Sequence, residues 1–142
     1  MRKLIVSNFV TLDGFYEGKD KNIDSIFDYY HEDYHGDDNF DFYNAERMRA
    51  ADTLLSGRAS FLGNKEYWSG VLIDPNATAI RREFAGLIQS IEKVVVSDQL
   101  TVAEFGEWEN TRIVKQADAV REITTLKEQE GRDIFMFAGR TL

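Results

Sequence analysis

The sequence predicts an α/β protein built on a mostly parallel central sheet with helices on both faces. Three observations carry that expectation. Short runs of Val, Ile, Leu and Phe, namely "KLIVSNF", "TLLS", "KVVVS" and "DIFMF", recur along the chain and are nearly continuous, as in strands covered on both sides. Segments with helical spacing lie between them, so strand and helix alternate. The chain has 142 residues with 43% hydrophobic content, which suits one domain over 1–142 with its own core.

The elements follow in order. "KLIVSNF" (3–9) reads as the first strand and runs into a loop in which Asp13 and Gly14 favour a turn. Residues 20–41 are aromatic and acidic with little periodicity, and read as an irregular, partly exposed segment. The Ala, Glu, Arg and Met of Asn44 to Ala51 favour a helix, and "TLLS" (53–56) a buried strand. Pro75 and Asn76 open a further helix with Ile80, Phe84, Leu87 and Ile88 on one stripe, and "KVVVS" (93–97) is the strand that follows. "TRIV" (111–114) is a short strand. "ADAVREITTLKEQE" is a helix with Ala117, Val120, Ile123 and Leu126 at core spacing and Gly131 as its stop, and "DIFMF" (133–137) is the last strand.

Ligands of such sheets bind beyond the carboxyl ends of the strands. Chemistry is therefore expected at four strand exits, "SNFVTLDG", "SGRAS", "VSDQL" and "FAGRTL".

Charge and composition narrow the partners. A net charge of −8 and a pI near 4.8 disfavour a general nucleic-acid role, because the molecule as a whole repels phosphate backbones. An anionic small molecule stays admissible, since a few backbone N–H groups and an arginine suffice to hold it. There is no cysteine, which excludes disulfides and thiolate metal sites and suits a reducing cytosol. The apolar start is too short for a signal peptide and no run reaches membrane-spanning length, so the expectation is a cytoplasmic protein with no membrane partner.

Several motifs have a chemical and a bland reading. In "SGRAS", Gly57 permits close backbone approach, Arg58 can pair with phosphate, and Ser60 places a hydroxyl at the start of a short helix; a surface turn is the alternative. Ser97 repeats the arrangement at the next exit, with Asp98 beside it. Neither a Walker-type loop nor G-x-G-x-x-G occurs. His31, Glu32 and His35 match H-E-x-x-H, the pattern of a zinc hydrolase, but no third histidine exists and the segment lacks an apolar stripe, so a solvated loop is the alternative. Asp13 and Asp41 could supply a proton or hold a substrate's N–H groups, or serve only as turn former and helix-dipole partner.

Taken together, "LIVSNFVTLDGFYEG", "ADTLLSGRASFLGNKEYW", "IEKVVVSDQL" and "RDIFMFAGRTL" resemble, in order and spacing, the dihydrofolate reductase-like proteins, in particular the branch related to the reductase domain of riboflavin biosynthesis. The resemblance implies a three-layer α/β fold and hydride transfer from NADPH, with NADH admissible, to a small pteridine- or pyrimidine-like heterocycle or a ribosyl imine. It implies that Gly57, Arg58 and Ser60 meet the cofactor's phosphates, that Ser97 lies near the adenosine 2′-phosphate, and that Gly139, Arg140 and Thr141 form the turn under the pyrophosphate. Asp13 then belongs to the loop over the nicotinamide, and Asp41 occupies the position of the substrate-binding acid.

Two departures stand out: Gly139 is a lone glycine in its turn, and Asp98 replaces a neutral or basic neighbour of Ser97, which weakens a preference for NADPH over NADH. Family members also continue with further strands, so the resemblance implies a sheet incomplete at its C-terminal side whose open edge favours a homo-oligomer, expected to be a dimer. A truncated or degenerate member that binds nucleotide without turnover is the second reading.

Overall fold

The computed structural model of the chain describes residues 1–8, 10–19 and 39–137. Its elements are β1 (Leu4–Ser7), α1 (Asn39–Ala50), β2 (Ala51–Gly57), α2 (Arg58–Ile73), α3 (Ala79–Ser90), β3 (Glu92–Val96), β4 (Thr111–Val114), α4 (Ala119–Glu128) and β5 (Asp133–Phe137). The five strands form one sheet in the order β1-β5-β2-β3-β4, and each neighbouring pair is parallel. The expected α/β architecture is present, with the chain returning from β4 through α4 to insert β5 between β1 and β2.

Successive side chains of the strands sort into two cores. Leu54, Val95 and Phe135 face α1, α2 and α3, where they meet Met48, Phe61, Trp68, Phe84 and Ile88. Their sequence neighbours Leu55, Val94, Val96, Ile134 and Met136 face the other way and meet Leu126 and Ile123 of α4. Both faces are therefore dry. This explains why the strands read as continuous apolar runs rather than alternating ones.

Three elements differ from expectation. Helix α1 begins at Asn39 rather than Asn44, because its buried stripe is Asn44, Ala45 and Met48 and so carries a polar residue where a pattern search wants an apolar one. Asn44 is 3% exposed yet satisfied, donating to the Phe40 carbonyl (2.9 Å) and accepting from the Ser7 hydroxyl (3.2 Å). Helix α2 is a full 16 residues instead of a short helix, held by Phe61, Trp68 and Val71 on one side despite two internal glycines. Around α4, Ala117 and Val120 are not core residues. A 3-10 turn over Gln116–Asp118 delays the helix to Ala119, which rotates the stripe onto Ala119, Ile123 and Leu126 and leaves Val120 82% exposed.

At the amino ends of the strands, polar groups are fully used. The Arg2 guanidinium pairs with Asp52 and donates to Thr53 Oγ1 (2.8 Å) and the Arg132 carbonyl (2.7 Å), which ties the N-terminus to β2 and β5. The register of β2 against β5 shifts between Ala51 and Thr53, so Ala51 and Leu54 share a face although three residues apart. Burial raises the Asp52 pKa, but the Arg132 N–H, the Thr53 hydroxyl and Arg2 outweigh it and hold the carboxyl below its usual range.

Lys93, at the start of β3, is 0% exposed. Its ammonium donates to the carbonyls of Gln89 (2.6 Å) and Ile91 (2.8 Å) at the end of α3 and lies 5.0 Å from the Trp108 ring centroid. Burial pushes its pKa down to about 8.

Candidate functional site

The four predicted exits meet at one end of the sheet. Ser7 is the register partner of Phe137, Gly57 of Val96, and Val96 of Val114, so the carboxyl ends of all five strands line a common edge. The N-termini of the helices on the larger face point the same way. Asn44 of α1 touches Ser7, Arg81 of α3 lies beside Asp41 of α1, and α2 starts directly at the β2 exit.

Gly57 occupies the N-cap of α2 in an extended conformation, and among the described residues no side chain caps the helix. The first-turn N–H groups of a 16-residue helix therefore emerge at a strand exit with the positive end of the helix dipole behind them. Ser60 is half-buried on that turn. The Ser56 hydroxyl, one residue before Gly57, is buried with no hydrogen-bond partner among the described residues. These features fit the phosphate groups of a nucleotide.

Arg58 is ion-paired with Glu104 in the segment after β3. Thr101 and Glu104 form a capping box, in which the glutamate accepts from the Thr101 backbone N–H (2.8 Å) and hydroxyl (2.9 Å). The Thr101 N–H first, then Arg58 and then the Thr101 hydroxyl keep the Glu104 carboxyl below its usual pKa. Lys65, two turns along α2, donates to the Glu104 carbonyl (2.5 Å). Phe61 packs edge-on against Phe105 and Trp108, with centroids at 6.1 and 5.5 Å, and fixes the same segment to α2.

Ser97 is 4% exposed, and its hydroxyl accepts from the N–H groups of Gln99 (3.0 Å) and Leu100 (2.9 Å). It closes the turn that leaves β3. The exposed Asp98 accepts at Oδ1 from the Gln116 N–H (3.3 Å), and its carbonyl accepts from the Lys115 ammonium (3.3 Å).

Asp41 lies in the first turn of α1 with its Oδ2 3.6 Å from Arg81 Nε, and Arg81 in turn donates to the Tyr67 hydroxyl. Asp13 is an exposed turn residue after β1 that accepts from the Thr11 hydroxyl (2.5 Å), with Gly14 at φ +88°. Trp68 belongs to the core, edge-on against Phe84 with ring centroids at 4.6 Å. Gly139, Arg140 and Thr141, and His31, Glu32 and His35, lie outside the described residues. Among the described residues, no cluster of three metal-ligating side chains occurs and no helix is long and apolar enough to cross a membrane.

Sequence reasoning missed Glu104, Arg81, Asn44 and Ser7. Only Glu104 had a local signal, the T-x-x-E pattern of "TVAE". The others acquire partners through packing of elements distant in the chain.

Two clefts of about 390 and 510 Å³ open at the opposite, amino-terminal end of the sheet, around Arg2, Thr53 and Thr125 and around Met48, Leu87 and Asn110. The charged wall of the first is occupied by internal pairs, Arg2 with Asp52 and Arg112 with Glu122 (3.2 Å). The strand-exit edge is the better candidate because the N-terminus of α2 there has no side-chain cap among the described residues.

The chain is 31% identical over 142 residues to the uncharacterized protein YyaP of Bacillus subtilis (strain 168), covering 99% of this chain and 65% of that protein. It superposes with a TM-score of 0.55 on a crystal structure from Shewanella sp. PV-4 named "Putative riboflavin biosynthesis protein", at 18% identity, covering 98% of this chain and 65% of that one. The chain thus spans slightly less than two thirds of the length of each. No family model matches it. The structural likeness and the five-stranded parallel sheet covered on both faces establish a dihydrofolate reductase-like three-layer α/β fold.

Proposed function

We propose that this chain binds a reduced nicotinamide dinucleotide at its strand-exit edge and serves a reductase of the dihydrofolate reductase and riboflavin reductase type. The substrate class is a pteridine- or pyrimidine-like heterocycle or its ribosyl imine. The observation that carries the reading is the uncapped N-terminus of α2 at the β2 exit, with Arg58 as its first residue and the Ser97 exit on the adjacent strand. Backbone N–H groups of α2 would hold the dinucleotide's phosphates, with Gly57 allowing close approach and Arg58 and Ser60 adding donors.

When bound, the dinucleotide supplies the hydride. The protein's part is orientation, exclusion of water and delivery of a proton, for which Asp41 is the candidate acid and Asp13 a residue of the covering loop. Titration of the full chain with NADH and NADPH, read by cofactor fluorescence, tests binding, and oxidation of the bound cofactor with pterin or pyrimidine acceptors tests turnover. Absence of binding by both at millimolar concentration would overturn the proposal.

A second reading, nucleotide binding without turnover, is favoured by one observation. The candidate acid Asp41 has its Oδ2 3.6 Å from Arg81 Nε, so the carboxylate already has a partner within the protein. Binding without oxidation across the same acceptors would select this reading.

A further inference from the structure

Gly57 and Val96 are register partners, so the N-terminus of α2 and the Ser97–Asp98 corner stand on neighbouring strands about 5 Å apart. In α/β proteins that hold a pyrophosphate at a helix N-terminus, an acidic side chain further along the chain accepts a hydrogen bond from the adenosine ribose 2′-hydroxyl, whereas an arginine there accommodates a 2′-phosphate. The corner here is acidic. Asp98 is exposed and receives one long bond from the Gln116 N–H (3.3 Å), which leaves acceptor capacity on its carboxylate.

Several donors near this corner already have partners within the protein. The Gln99 and Leu100 N–H groups are bound by the Ser97 hydroxyl, which is itself buried. Arg58 is matched by Glu104, Lys65 is held on the Glu104 carbonyl (2.5 Å), and Lys115 sits on the carbonyl of Asp98, beside that residue's own carboxylate. A dianionic group at this corner would be repelled by the Asp98 carboxylate and would compete with these existing contacts for the nearby cations. A ribose 2′-hydroxyl would meet an acceptor.

We infer that Asp98 is a specificity-determining residue that suits the site to a dinucleotide with a free 2′-hydroxyl, NADH rather than its 2′-phosphorylated counterpart. The inference rests on the proposed dinucleotide site. Fluorescence titration of the full chain with NADH and NADPH, with adenosine 2′,5′-bisphosphate and adenosine 5′-monophosphate as competitors, tests it without reference to turnover. NADH is expected to bind about tenfold more tightly, the size of one charge-assisted hydrogen bond, and Asp98→Arg to reverse the order while circular dichroism is unchanged. Equal or tighter binding of NADPH by the unaltered protein overturns the inference and leaves the proposed function standing. An undiminished NADH preference in both Asp98→Arg and Asp98→Asn overturns the role of Asp98. Failure of both dinucleotides to bind overturns the site and the inference together.

Discussion

Arg58, the first residue of α2, is ion-paired with Glu104, and the pair ties the β2 exit to the turn that follows β3. Thr101 positions the glutamate, so the guanidinium is held at the mouth of the proposed site rather than left to solvent. The same contact neutralises the charge that would attract a phosphate. Glu104 stays ionised at and somewhat below its ordinary pKa of 4.5, so the match persists throughout neutral pH.

Removing the carboxylate should therefore expose the arginine. Glu104→Gln keeps a side chain that can accept from Thr101, and is expected to tighten dinucleotide binding several-fold, whereas Arg58→Ala weakens it about tenfold. Equilibrium titration of both variants is the check, and unchanged affinity in both would remove Arg58 from the site.

Asp41 separates binding from chemistry. If it delivers the proton, Asp41→Asn lowers turnover by about 10²–10⁴ while leaving the dissociation constant of the dinucleotide unchanged. A variant with unimpaired turnover would assign the carboxylate to its Arg81 pairing alone.

Lys93 makes stability depend on pH. Its folded pKa of about 8 lies below the ordinary 10.5, so the folded protein binds fewer protons than the unfolded chain between those values. Stability from this residue is thus lowest below pH 8, rises between pH 8 and 10.5, and levels above, by up to about 3 kcal/mol in all. Urea unfolding at pH 7 and pH 10 should show the rise, and Lys93→Met should remove it while other titrating groups stay common to both proteins. Parallel pH dependence in the two proteins would mean that Lys93 titrates normally.

Gly131 is required by what lies next to it. Its φ is +153°, and a Cβ there would stand 2.8 Å from Asp52 Oδ2 and 3.1 Å from the Arg2 guanidinium carbon. Neither neighbour is free to move, since Asp52 also accepts from the Arg132 N–H (2.7 Å). Gly131→Ala is expected to cost about 1–3 kcal/mol of unfolding free energy, and a smaller cost in an Asp52→Ala background identifies the clash as the source.

The rotated stripe of α4 gives a contrast between two apolar residues of one helix. Leu126 is 3% exposed and Val120 82% exposed. Leu126→Ala should destabilise by about 2–5 kcal/mol and Val120→Ala by less than about 0.5 kcal/mol, measured by denaturant unfolding. Comparable losses would restore the stripe that sequence spacing suggests.

What the sequence by itself determined was the layer architecture and the end of the sheet at which to look. Continuous apolar runs arise only where both faces of a strand are covered, and parallel strands joined by helices necessarily bring their exits to one edge. Helix boundaries were less legible where the stripe contained Asn44, whose partner Ser7 lies far away in sequence, or glycines, as in α2. The phase of α4 was decided by a 3-10 turn that carries no strong residue signal.

Tertiary structure alone decided the electrostatics of the site. That Arg58 is matched by Glu104, that Asp41 faces Arg81, and that Ser97 spends its hydroxyl on its own turn are all consequences of segments meeting across strands or helices. Charge and hydrogen bonding act through a few ångströms of space. They are set by the neighbours the fold supplies rather than by those along the chain.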